Sequence, residues 1–205
     1  MMRYGIAQLI SQQTDLEVCG EQQDAQGALA AVNASKPDLV LAELNLPGKS
    51  GLQLIHHLKT EHPDVGVLVL SRHDEAVYAE RVLRSGARGY LMKSADAETL
   101  IEALRSVLAG RLYVSEAMSA RIVDMLAGRG PATVGSTVSV LSEREFEVFE
   151  LVGQGWATSE IALHLHISAK TVETHRLHIV ARLRLKGTSD LTKFAIRWMR
   201  AHDGG

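Results

Sequence analysis

The feature that most constrains this chain is a change of rhythm near residue 140. Before it, short apolar runs alternate with amphipathic segments. The runs "LEVCGE" from Leu16, "DLVLAEL" from Asp38, "VGVLVLS" from Val65 and "RGYLMKS" from Arg88 read as strands. Helical periodicity fills the intervals at residues 24–35, 51–61, 75–85 and 96–109. Runs so continuously apolar belong to strands covered on both faces, as in a parallel sheet built from right-handed strand-helix-strand units. Functional groups in such sheets gather at the carboxyl ends of the strands, where Glu43, Ser71 and Lys93 fall.

After residue 140 the strand signal stops. Residues 128–138, "GRGPATVGSTV", have linker chemistry, and residues 115–127 form an amphipathic connecting helix. "SERE" at Ser142–Glu145 is a capping box that starts a helix, and Gly155 is placed to end it. The chain thus divides into an α/β domain over 1–112, a connector over 113–139 and an all-helical domain over 140–202. With 46% hydrophobic and 22% charged residues, it has the composition of a folded globular protein. No apolar run approaches the twenty or so residues that span a bilayer, and no leader pattern opens the chain. The single cysteine, Cys19, fits a reducing compartment, so a cytoplasmic location without membrane association is expected.

The net charge of −2 conceals a local excess. From Ser168 to Arg200 there are eight Lys and Arg residues against Glu173 and Asp190 alone. A solvated helix face explains most charge runs, so position has to decide. "SEIALHLHISAKTVETHRLHIVARL", Ser159–Leu183, has the cadence of two short helices joined by a tight turn, the second capped by Ser168. On a wheel of about 100° per residue, Val172, His175, Ile179 and Leu183 share the inner face. Lys170, Glu173, Thr174, Leu177, His178 and Ala181 lie opposite, with Arg176 on a flank. Donors, acceptors and small apolar groups at the start of a helix, edged by cations, are what a major groove requires.

The stretch "LSEREFEVFELVGQG…EIALHLHISAKTVETHR…ARL" is similar to the LuxR-type helix-turn-helix across Leu141–Ala201. That resemblance implies a tetrahelical domain whose third helix enters the major groove of double-stranded DNA, with a last helix near 189–200 able to pair two copies. It places Lys170, Glu173 and Thr174 against the bases and Arg176 and His178 against phosphates, with Thr171 also in the DNA-binding surface. One departure is Ala157, where the family often has a Ser or Thr cap; Thr158 is expected to substitute.

Residues 1–112 resemble the receiver domain of two-component response regulators. The matching pieces are "PDLVLAELNLPGKSGL", "VLVLSRHDE" and "SGARGYLMKSADAETLIEAL". Together the two halves resemble a response regulator of the NarL/FixJ type. By that resemblance an Asp at the position of Glu43 would take a phosphoryl group, Ser71 and Lys93 would stabilise it, and Tyr90 would switch rotamer. Two departures change this chemistry. Glu43 carries its carboxylate one methylene further out. "MMRYGIAQLI" resembles the helix that follows the family's first strand, so that strand and its magnesium-binding acidic pair have no counterpart here. The expected fold is a flavodoxin-like doubly wound parallel sheet lacking its first, central strand. The strands from Leu16 and Asp38 would then flank a gap about 5 Å wider than normal pairing. They could close together, borrow a strand from a second subunit or tolerate the gap; a start codon set one strand too late is a further alternative.

Other signals carry less. "PGKS" at 47–50 lacks the glycine that a phosphate-binding loop needs five residues before Gly48, where Glu43 stands. His56, His57 and His62 have no Cys or acidic partner at ligand spacing, so no metal or cofactor is expected. Trp156 and Trp198 are isolated in sequence and suit core packing or a dimer seam. No nucleophilic triad has motif support, which argues against an enzyme. The reading is a homodimeric, sequence-specific transcription regulator of the two-component type. Its atypical receiver would act without aspartyl phosphorylation, with Glu43 as a fixed anion reaching Lys93 and Ser71, or as a drifted acceptor that merely pairs with Lys93. The competing readings are a module whose receiver-like half docks a protein partner, and a phospho-switched regulator answering a sensor kinase.

Overall fold

Gly66–Ser71 is a run of six buried residues, and as a strand it needs a partner on both sides to satisfy its backbone without water. It is strand β2, the middle of a three-stranded parallel sheet, with β1 at Leu39–Ala42 and β3 at Gly89–Met92. The register sets Leu39 beside Gly66 and Ala42 beside Val69, then Leu68 beside Gly89 and Ser71 beside Met92. These details come from a computed structural model, which describes residues 2–44, 46, 51–127, 138 and 140–202. The "PGKS" segment at 47–50, set aside as a phosphate-binding loop, and the linker at 128–138, except Val138, lie outside the described residues. The chain forms two compact units, one mainly within residues 1–119 and one mainly within 120–205.

In the first unit the helices are α1 Met2–Ser11, α2 Ala25–Ser35, α3 Gly51–Glu61, α4 Glu75–Ser85 and α5 Ala97–Leu108. Asp24 caps α2 and Asp96 caps α5, each carboxylate accepting from a backbone N–H three residues on at 2.8 Å. Helix α5 buries Leu100, Ile101, Leu104 and Val107 against Leu68, Leu70 and Leu91 of the sheet. Each such side chain contributes roughly 1.5–3 kcal/mol when fully buried. Ile6, Leu9 and Ile10 of α1 pack on the edge of this cluster while remaining half-exposed. Arg105 of α5 grips Asp15 with two hydrogen bonds of 2.8 Å, anchoring the chain just after α1.

The expected strand from Leu16 does not form. Residues 16–22 have no strand assignment, and mostly exposed side chains follow half-buried Leu16. A strand exists only by hydrogen bonding to a neighbour. Among the described residues no strand pairs with the free side of β1, so β1 is an edge and the sheet has three strands rather than four. The pairing of flanking strands across the gap is therefore not seen.

Helix α6, Glu116–Leu126, follows, and the second unit holds α7 Glu143–Gly153, α8 Thr158–His164, α9 Ala169–Arg182 and α10 Thr188–His202. Ser142 and Glu145 form the full capping box at the start of α7. Gly155 adopts φ +88°, the left-handed conformation that lets the chain leave α7 and turn toward α8. Phe146 and Phe149 of α7 meet Trp198 of α10 edge-on, with ring centroids 5.8 and 5.4 Å apart. Trp198 is thus a core residue, while Trp156 is 37% exposed and packs edge-on against His164. Arg144 of α7 pairs with Glu147 and donates to the carbonyl of Leu165 at 2.6 Å, closing the far end of α8.

Candidate functional site

Helix α9 begins where Ser168 accepts from the Thr171 N–H at 3.0 Å. Its inner face buries Val172 and Ile179 completely, and His175 is half-buried beside them. Lys170, Thr171, Glu173, Thr174, Leu177 and His178 are exposed on the opposite side. The wheel drawn from sequence is therefore the wheel observed. The hydroxyl of Thr174 donates to the Lys170 carbonyl at 3.0 Å, which restricts its rotamer. Thr171 shares a 2.8 Å hydrogen bond with the Ser168 hydroxyl. Among the described residues the Lys170 ammonium has no partner, so this cation is available.

Two of the expected contact residues are tied to the domain instead of standing free. The Thr158 hydroxyl donates to the Glu173 carboxylate at 2.8 Å. Arg176 donates from Nη1 to Thr158 at 3.0 Å and from Nη2 to Thr192 at 3.4 Å, and its buried Nε has no partner. Arg176 is therefore half-buried among hydroxyls of α8 and α10. Thr158 does not serve as the substitute cap for α8. Ala157 occupies the cap without a side-chain bond, and Glu160 reaches back to the Ala157 N–H at 2.7 Å.

Sequence reasoning also missed a carboxylate beneath the helix. Glu145, almost fully buried, accepts from the Ser142 N–H at 2.8 Å and from Arg182 Nε at 3.1 Å. His178 Nδ1 lies 3.7 Å away. Arg182 in turn donates to the Val140 carbonyl at 2.8 Å, so α9 is clamped to the entrance of α7. The capping-box pattern located Glu145; nothing in the sequence connected it to residues 178 and 182.

At the carboxyl ends of the strands, Glu43 follows β1 and Lys93 follows β3, and their side chains form an ion pair. Glu43 also accepts from the Leu44 N–H at 3.0 Å. The pair is only 18–24% exposed, and burial pushes the Lys93 ammonium below its ordinary value. Ser71 is wholly buried, and its hydroxyl accepts from the His73 N–H at 3.3 Å rather than meeting Glu43. Tyr90, 1% exposed, donates to the His73 carbonyl at 2.8 Å. Gly51 approaches so closely that a Cβ there would clash with the Glu43 carbonyl oxygen, so only glycine fits beside this residue. The donor set does not suit the magnesium ion of receiver domains. Glu43 is bound to an ammonium and a backbone N–H, and among the described residues no three acidic, His or Cys side chains cluster.

A parallel sheet with an anion-cation pair at its carboxyl ends, followed by a helix-turn-helix with an exposed polar face, defines a receiver-type regulator. Residues 1–105 match the family described as response regulator receiver domain, and residues 139–195 match bacterial regulatory proteins of the luxR family. The chain belongs to the LuxR-type response regulators, which are DNA-binding transcription regulators. It is 34% identical to the oxygen regulatory protein NreC of Staphylococcus carnosus over 201 residues, covering 96% of this chain and 93% of that protein. A two-component response regulator of the LuxR family from Aurantimonas sp. SI85-9A1 is 28% identical, with a TM-score of 0.56 over 62% of this chain and 90% of that one. RcsB from Salmonella enterica serovar Typhimurium, bound to promoter rprA in the presence of phosphomimetic BeF3-, shares the fold. Its TM-score is 0.67 at 22% identity, over 94% of this chain and 91% of that one. Among the described residues no helix is long and apolar enough to cross a membrane.

Proposed function

We propose that this chain is a cytoplasmic, dimeric, non-enzymatic transcription regulator that reads duplex DNA with α9 and is controlled without aspartyl phosphorylation. The carrying observation is the division of α9 itself. Val172 and Ile179 are sealed into the core, while Lys170, Thr171, Glu173, Thr174 and His178 stand exposed on one outer face. A helix presented this way fits a major groove, and two copies would meet half-sites about one helical turn apart. Lys170, Thr171, Glu173 and Thr174 face base edges, and His178 faces the phosphate backbone. The promoter-bound RcsB structure supports the same use of the shared fold.

Control without phosphorylation rests on the Glu43–Lys93 pair. The ammonium that would meet an incoming phosphoryl group already holds a permanent anion. That anion is a carboxylate fixed on the chain, so the receiver-like unit has one charge state and biases the molecule toward one conformation. The test is selection of duplexes from a random library by the purified full chain, followed by binding titrations in rising salt. The reading expects one enriched, two-fold-related sequence, with affinity falling steeply as salt rises. No enrichment, with equal binding to all duplexes, would overturn it.

A further inference from the structure

We propose that Thr158 and Arg176 are positioning residues that preset Glu173, one carboxylate oxygen held and the other offered to a single base amino group. The inference rests on the reading that α9 enters the major groove. Its basis is a directional chain of hydrogen bonds that joins three helices. The Arg176 guanidinium donates to the Thr158 hydroxyl, and that hydroxyl donates to Glu173 Oε1. On its other side Arg176 donates to Thr192, whose hydroxyl donates to the Thr188 carbonyl in the first turn of α10 at 3.1 Å.

Each link has a physical consequence. A hydroxyl that accepts from a cation and donates to an anion is polarised in one sense, which strengthens both bonds. The guanidinium is half-buried, so it cannot swing out to a phosphate without giving up both hydroxyls. Its charge instead offsets the repulsion that a carboxylate meets among phosphates. Glutamate otherwise loses much rotamer freedom when it orders against a base. Here that ordering precedes DNA. Among the described residues Oε2 has no partner, which leaves one acceptor for the amino group of cytosine or adenine. Thr158 itself touches no base; it acts through Glu173.

The experiment uses the full chain and the duplex it selects from a random library. Binding to every single-base substitution of that duplex is measured for the wild type, Glu173→Gln, Thr158→Val, Thr158→Ser and Arg176→Lys, with folding checked by thermal melting. Glu173→Gln identifies the base pair that Glu173 reads. Thr158→Val, and Arg176→Lys as a second route, should flatten preference at that same pair by roughly five-fold or more. Binding to unrelated duplex should stay unchanged, and Thr158→Ser should keep the wild-type profile. A folded Thr158→Val that retains the preference would overturn the inference, as would one that weakens all duplexes equally. If Thr158→Val does not fold, Arg176→Lys decides between the same two outcomes. An unaltered profile in Glu173→Gln also overturns it, because no base is then read there. If the wild type selects nothing, the DNA-reading proposal itself has failed, which is a separate result.

Discussion

Lys93 and Glu43 are ion-paired across the carboxyl ends of β3 and β1. The pair is mostly screened from water, so neither charge is spare. Glu43→Gln should cost the first unit about 1.5–3 kcal/mol, the usual range for a charged hydrogen bond. It should also change DNA affinity or dimerisation by removing the fixed anion. Chemical denaturation and binding titration measure the two effects. Unchanged affinity with unchanged dimerisation would leave the pair as mere packing.

The same pair predicts inertness toward phosphoryl donors. Incubated with an acyl phosphate and magnesium, the wild-type chain should show no phosphoryl adduct at Glu43 by intact mass and peptide mapping. Here the site's ammonium is engaged and no cluster of metal ligands surrounds the carboxylate among the described residues. A labile adduct on Glu43 would show that the pair opens and that phosphorylation controls the protein.

Segment 16–22 predicts a pattern of amide exchange. Its backbone has no strand partner among the described residues, whereas β2 is bonded on both sides. Exchange at 16–22 should be fast and exchange in β2 slow, with β1 between them because one of its edges is open. Protection of 16–22 comparable to β2 would reveal a strand in the gap.

The aromatic core of the second unit sets its stability. Phe149 is fully buried between Phe146, Phe194 and Trp198. Phe149→Ala should cost about 3–5 kcal/mol through lost burial and a residual cavity. Both tryptophans of the chain, Trp156 and Trp198, belong to this unit, so their fluorescence follows its unfolding alone.

His175 gives that unit a pH dependence. Burial and then the nearby Arg144 charge lower its value from the ordinary 6.5, and its buried Nδ1 has no partner. The folded unit thus prefers neutral imidazole, while the unfolded chain takes up a proton as pH falls through 6.5. The His175 contribution should be complete above that value and lost progressively on the acid side. Fluorescence-detected unfolding at several pH values checks this, and His175→Gln should flatten that part of the curve.

Much of this was legible in sequence. The periodicity placed α3 and α4 at their observed limits, because apolar spacing alone decides a covered helix. The capping residues Ser142 and Ser168 marked two helix starts through local chemistry, whereas the Asp24 and Asp96 caps emerge only in the structure. The outward face of α9 followed from its wheel. What failed was non-local. "LEVCGE" has a strand's composition, yet pairing depends on a neighbour that no local pattern supplies. Thr158 read as a cap because its neighbour Ala157 lacked one, but its hydroxyl answers residue 173, fifteen positions away. For Arg176 the resemblance implies a phosphate contact, and no local pattern shows that in the packed domain its guanidinium donates to Thr158 and Thr192.

The most direct measurement is library selection with the full chain carrying Lys170→Glu together with Thr174→Trp, both on the exposed face of α9 and neither in the core. The double variant should melt like the wild type yet lose the enriched sequence, because its charge is reversed and its groove face is obstructed. Recovery of the same sequence by the folded double variant would contradict the claim that α9 reads DNA.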